Sequence, residues 1–101
     1  MQCVILAAGK GTRLRPLTDN TPKQLVMVQG RPLLDHIVEA LPSAIDEIIM
    51  VTGYLEDQIK AHCGDTYMGR KVTYITQETP QGTAKALWLC KDLLKGRFLF
   101  M

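Results

Sequence analysis

Hydrophobic residues along this chain fall in short blocks separated by glycine, proline and charge. Gln2 to Ala7 is a continuous apolar run closed by Ala8-Gly9-Lys10-Gly11. Its shortness and its glycine stop fit a strand buried on both faces better than a helix. Residues 9 to 23 then lose all periodicity and carry two glycines, two prolines, Lys10, Arg13, Arg15 and Lys23. That is the composition of a long functional loop. Gln24 to Val28 is a brief apolar stretch ahead of a Gln29-Gly30 turn. Pro32 sits where a helix begins, at the first-turn position that needs no N–H, and Leu33, Leu34, Ile37, Val38 and Leu41 repeat at helical spacing until Pro42.

Glu47 to Thr52 predicts a second buried strand. Beyond Gly53, Leu55, Ile59 and Cys63 fall one helical turn apart, and Gly64 suits the C-terminal cap. Lys71 to Thr76 alternates enough for a third strand. From Thr83, the residues Ala86, Leu87, Cys90, Leu93 and Leu94 form another helical stripe ended by Gly96, and Arg97 to Met101 predicts a fourth strand. Strand and helix alternating in this way predict an α/β fold with a mostly parallel sheet and crossover helices. In open sheets of this kind ligands sit beyond the carboxyl ends of the strands, where strand order reverses. The glycine-rich loop after the first strand is therefore expected at the binding edge.

Composition narrows the picture. A chain of 101 residues supports one core and not two. No run of about 18 apolar residues could span a bilayer, so a soluble protein without a membrane partner is expected. Twelve Lys and Arg against ten Asp and Glu leave a net charge of +2, too little for the concentrated basic face that nucleic acid requires. Any phosphate must be held by local geometry. Cys3, Cys63 and Cys90 are odd in number, far apart and set in apolar segments, which reads as reduced core thiols and points to the cytoplasm. The first residues lack a basic stretch ahead of the apolar run, so the start reads as mature protein.

Three segments can carry chemistry. Gly9-Lys10-Gly11-Thr12-Arg13 follows a strand directly, and its backbone N–H groups can face an anion at close range. A lone Gly-x-Gly is equally compatible with a tight turn. There is neither a third glycine at the dinucleotide spacing nor the Gly-Lys-Ser/Thr of a P-loop. Arg13 and Lys23 lie on the same irregular segment, stiffened by Pro16 and Pro22, and can clamp a polyphosphate or serve solubility alone. In Gln77-Glu78-Thr79-Pro80-Gln81-Gly82-Thr83-Ala84, a glutamine amide offers the donor and acceptor that reading a base edge needs. Gly82 leaves room for a flat ring beside a helix start. A plain strand-to-helix turn capped by Thr83 is the competing reading. His36 and His62 lack a ligand-spaced partner and read as structural or surface residues.

Taken together, Leu6-Ala7-Ala8-Gly9-Lys10-Gly11-Thr12-Arg13-Leu14-Arg15-Pro16-Leu17-Thr18, Pro22-Lys23 and Gln77 through Leu87 strongly resemble the sugar nucleotidylyltransferases, the pyrophosphorylase family that makes nucleotide sugars. The resemblance implies a Rossmann-like sheet, Mg²⁺, an NTP and a sugar 1-phosphate as substrates, and pyrophosphate as product. By position it implies that Leu6, Ala7, Ala8 and Gly9 line the base and ribose. Gly11, Thr12 and Arg13 would hold the triphosphate, with Arg13 stabilising the transferring and leaving phosphates. Lys23 would meet phosphate oxygens of the NTP or of the sugar phosphate, and Gln77, Gly82 and Thr83 would form the base side.

The chain departs from the family pattern at its end. The family's metal-binding aspartate follows the strand placed here at Arg97 to Met101, and Asp19, Asp35, Asp65 and Asp92 do not occupy its position. The expectation is an incomplete, truncated domain that binds NTP weakly and does not catalyse alone. An exposed edge at Phe98, Leu99 and Phe100 is expected to favour self-association. Two further readings stay open: a cytidylyltransferase for a phosphorylated amino alcohol, which the stretch from Leu14 to Pro32 also resembles, and a non-catalytic nucleotide-binding regulatory module.

Overall fold

The computed structural model describes residues 1–9, 15–78 and 82–101. Its centre is a five-stranded sheet in the order β5-β6-β4-β1-β7, where β1 is Gln2–Ala7, β4 is Glu47–Thr52, β5 is Thr66–Tyr67, β6 is Arg70–Thr76 and β7 is Phe98–Phe100. β1 runs parallel to both β4 and β7, and β4 runs parallel to β6. From β1 the chain steps outward through β4 and β6, then returns to place β7 on β1's other side. Strand order therefore reverses at β1, as in Rossmann-like sheets. A separate hairpin pairs β2, Met27–Val28, with β3, Arg31–Pro32.

β1 and β4 form because they have apolar neighbours on both faces. Cys3, Ile5, Ala7, Ile48 and Met50 pack on one side with Leu34 and Val38 of α1, Leu33–Glu39, and with Ile59 and Cys63 of α2, Glu56–Cys63. Val4, Ala8, Ile49 and Val51 pack on the other with Ala86 and Cys90 of α3, Thr83–Cys90. Two helices cover one face and one covers the other, which answers the continuous apolar runs of the two central strands. Cys3, Cys63 and Cys90 are all buried in these layers as free thiols. Burial, aided by the nearby Asp35 charge, pushes the Cys63 thiol up to about 12. Among the described residues, no helix is long and apolar enough to cross a membrane.

Several boundaries differ from the sequence expectation for physical reasons. Pro32 is the N-cap of α1 and pairs within the β2–β3 hairpin, so the helix starts one residue later. α1 ends at Glu39, where Ala40 and Leu41 tighten onto His36 and Val38, and Leu41 is buried from outside the helix. α3 ends at Cys90, and Leu93 and Leu94 reach the same core layer from the turn that follows. The antiparallel β5–β6 hairpin was not expected. Its two-residue turn, Met68-Gly69, has positive φ at both positions, as two-residue hairpins favour, but Met68 gives no sequence cue for it.

A polar knot ties the covering layer together. The Asp35 carboxylate on α1 accepts hydrogen bonds from His62 Nε2 on α2, at 2.8 Å, and from the Tyr67 hydroxyl on β5. Partial burial works against the charged carboxylate, but the bonds from Tyr67 and His62 outweigh it and hold Asp35 below the usual carboxylate range. Burial and the bond to Asp35 raise the Tyr67 phenol in turn. A carboxyl depressed in the folded state stabilises it above the unfolded pKa, about 4, and loses that contribution as pH falls through the lower folded value. Asp35→Asn is expected to lower stability near neutral pH by about 1 to 2 kcal/mol and to flatten the loss of stability below about pH 4. Urea unfolding at a series of pH values measures both.

Candidate functional site at the carboxyl edge of the sheet

Parallel register brings three strand ends together: Ala7 pairs with Thr52, and Thr52 with Thr76. The chain leaves these ends through Ala8, Gly53 and Gln77. Gln77 N donates to Thr52 O at 2.7 Å, and Tyr54 N donates to Ala8 O at 3.4 Å. A Cβ on Gly53 would lie 2.6 Å from Gln77 O and 3.3 Å from the Cβ and O of Ala8. Only glycine permits this approach. The sequence reading used Gly53 as a helix boundary and missed its place in the site; its signal was a glycine directly after a fully buried strand.

Two buried amide atoms at this edge have no partner. Gln77 is almost fully buried and its Nε2 is unsatisfied. Gln24 Nε2 donates to Leu6 O at 3.0 Å, which fixes its Oε1 as an acceptor, and that oxygen is buried and unpaired. An unpaired buried polar atom costs about 1 to 3 kcal/mol, so each is a candidate ligand contact. Gln24 was not singled out from sequence. The cue was an amide leading an otherwise apolar stretch, immediately after Pro22-Lys23.

Leu6 is half-buried, Ala7 and Ala8 are buried, and Gly9 is exposed at the end of the first described segment. Gly11, Thr12 and Arg13 lie outside the described residues, so the expected clamp of Arg13 and Lys23 is not placed. Lys23 is exposed and starts a 3-10 helix, Lys23–Leu25, directly after the fully buried Pro22. Among the described residues Lys23 makes no ion pair. Gly82 is the N-cap of α3 with φ 88 and ψ 172, a conformation that favours glycine, and no side chain caps the helix. Thr83 is thus exposed in the first turn and does not act as the cap. A cavity of about 310 Å³ lined by Leu17, Thr21, Leu25, Val26 and Met27 adjoins the segment that carries Lys23. Among the described residues, no group of three or more His, Cys, Asp or Glu could hold a metal ion, so the Mg²⁺ implied by the resemblance has no ligand set assigned here.

The edge therefore offers a hydrogen-bond donor, an acceptor and an open glycine turn at a helix start, with Lys23 making no ion pair among the described residues. Comparison with known proteins gives the family. The family described as nucleotidyl transferase matches residues 2–101. The chain is 42% identical over 102 residues to the UTP–glucose-1-phosphate uridylyltransferase of Haloferax volcanii, covering all of this chain and 42% of that protein. It is 42% identical over 96 residues to the glucose-1-phosphate thymidylyltransferase of Streptomyces griseus, covering 93% of this chain and 27% of that protein. The solved CTP:phosphocholine cytidylyltransferase of Streptococcus pneumoniae superposes with a TM-score of 0.71 at 38% identity, over 92% of this chain and 40% of that one. The chain thus spans well under half the length of these relatives.

Gly53→Ala tests the geometry of the edge directly. A methyl group pressed against two strand ends is expected to cost about 1 to 3 kcal/mol and to lengthen the Gln77 N to Thr52 O bond. Chemical denaturation reads the first effect, and amide exchange at Gln77 reads the second.

Proposed function

The chain belongs to the nucleotidyl transferase family, and we propose that it forms the nucleotide-binding part of an enzyme that transfers a nucleotidyl group from an NTP to a sugar 1-phosphate. The observation that carries the reading is the two buried amide atoms without a partner among the described residues, Gln24 Oε1 beside Leu6 of β1 and Gln77 Nε2 just after β6, at the carboxyl edge of the sheet. An acceptor and a donor held in place are groups that the edge of a nucleobase can meet. A base that satisfies both recovers the desolvation cost the empty edge carries.

In this reading Leu6, Ala7, Ala8 and Gly9 line the base and ribose, with Gly82 and Thr83 closing the base side. Gly11, Thr12 and Arg13 hold the triphosphate, and Lys23 meets phosphate oxygens. The sugar-phosphate oxygen attacks the α-phosphorus in line and the bond to the β-phosphate oxygen breaks, releasing pyrophosphate. The protein's own part is positioning and charge: Arg13 and Lys23 neutralise oxygens whose negative charge grows in the transition state. Mg²⁺, when bound, supplies further charge neutralisation on the phosphates. Similarity to the phosphocholine cytidylyltransferase favours one second reading, transfer of a cytidylyl group to a phosphorylated amino alcohol.

Pyrophosphate release, measured on the protein that carries this sequence, separates the readings. Glucose 1-phosphate with UTP or dTTP is expected to support turnover, and phosphocholine with CTP is not; the reverse pattern would select the cytidylyltransferase. Nucleotide binding with no turnover on either pair would mark a regulatory module. In the active protein Arg13→Ala is expected to lower turnover about a hundredfold, which corresponds to ~3 kcal/mol of lost transition-state stabilisation. An unchanged turnover number would remove Arg13 from the site.

A further inference from the structure

We propose that Tyr54 is a positioning residue for the phosphate side of this nucleotide site, clamping the backbone of residues 18–20 that leads to Lys23. The inference rests on the nucleotide reading above for its ligand and on the following geometry for the clamp. Tyr54 directly follows Gly53, and its backbone N–H is bonded to Ala8 O, so its own position is fixed by the end of β1. From there its hydroxyl oxygen lies 2.9 Å from Thr18 O and 2.9 Å from Asp19 O. The single phenolic proton is thus shared between two successive carbonyls. Gln58, one turn further along the same stretch, donates Nε2 to Asn20 O at 2.8 Å. Three consecutive carbonyls of the connection are held by two side chains from residues 54–58.

Packing also holds this stretch, through the fully buried Thr18 and Pro22. Its local bonds include one turn, Asp19 N to Pro16 O at 3.1 Å, and an exposed ion pair between Arg15 and Asp19 at 3.5 Å. Exposed pairs of this kind contribute little. Past Asn20 the chain reaches the buried Pro22 and then Lys23, so residues 18–20 set the approach to Lys23 together with Pro22 and the bond from Gln24 to Leu6 O. The same α2 start also reaches the base side. Glu56 Oε2 accepts from Thr52 Oγ1 at 2.9 Å and from Thr76 Oγ1 at 3.0 Å, and Gln77 is the next residue after Thr76. Residues 53–58 therefore join the cation-bearing loop to the amide of Gln77. Tyr54 meets the edge through its backbone N–H, which Tyr54→Phe keeps, while its hydroxyl meets the carbonyls of Thr18 and Asp19, so the hydroxyl's contribution is to place other groups.

Tyr54→Phe removes the hydroxyl and keeps the ring. If Tyr54 positions the phosphate side, the variant binds dTTP and UTP about three- to tenfold more weakly in calorimetric titration, while its affinity for thymidine and uridine, followed by NMR, is unchanged. The Asp19 amide exchanges faster, and the thermal midpoint moves little. Gln58→Ala, at an exposed side chain, is a second variant expected to show the same split to a smaller degree should Tyr54→Phe fold poorly. Equal weakening for nucleoside and nucleotide would assign Tyr54 a merely structural role and overturn the proposal. So would unchanged dTTP and UTP binding together with unchanged Asp19 exchange. Wild-type protein that binds no nucleotide overturns the nucleotide reading, and Asp19 exchange then still decides whether Tyr54 clamps the loop.

Discussion

The close approach of backbone at Gly53 is the constraint on which the carboxyl edge depends. A β-carbon there would sit 2.6 Å from Gln77 O, a distance that only movement of a strand end could relieve. Because Gly53 has none, Gln77 N can reach Thr52 O, Tyr54 N can reach Ala8 O, and the three strand ends close into one continuous ledge. The two buried amides assigned to ligand contact hang from that ledge. Gln77 follows it on one side, Gln24 is bonded to Leu6 just below it, and the start of α2 rises from it.

The ledge is rigid because the layers beneath it are. β1 and β4 are buried on both faces, so their register cannot slip without moving apolar side chains from one core layer to the other. The described part of the connection after β1, residues 15–23, is packed at Thr18 and Pro22 and exposed over much of the rest. It borrows order through hydrogen bonds from Tyr54 and Gln58 to its carbonyls. This division is physically sensible for a site that must admit a charged, hydrated ligand. Backbone that has to leave room for phosphate can be packed only at its flanks, and polar tethers there add to that packing without filling the space.

How much of this was legible in the sequence follows from the same distinction. β1 and β4 were read with their observed bounds, because burial on both faces leaves an unbroken apolar run that ends at glycine. α2 and its Gly64 cap were read from Leu55, Ile59, Cys63 and Gly64, but Leu55 is the left-handed N-cap ahead of the helix, with φ 56, and not part of its stripe. The ends of α1 and α3 were placed too far along, since Leu41, Leu93 and Leu94 fit a helical stripe while packing from turns. The β5–β6 hairpin left no pattern because Tyr67 alone of its short strand is buried. Within the site, Gln77 and Gly82 were visible as an amide and a glycine between strand and helix. Gln24, Gly53 and Tyr54 were not, since each acts through a tertiary contact: a bond to Leu6 O, a contact with Gln77 O, and bonds to Thr18 O and Asp19 O.

Two buried amide atoms set the chemistry of this edge. Replacing Gln77 by an apolar residue of similar size would remove a buried unsatisfied atom, a change expected to be neutral or stabilising for an isolated fold, whereas replacing Gln24 would also remove its bond to Leu6 O. In Gln24 the amide nitrogen is already spent on Leu6 O, so the side chain is held in one orientation with its oxygen facing no protein donor. A fold maintained for stability alone has no use for such an arrangement. Polar atoms kept dry, oriented and unpaired at the carboxyl edge of a parallel sheet make physical sense when a ligand supplies the missing partner, and a rigid planar base can meet a fixed donor and a fixed acceptor with little further loss of freedom.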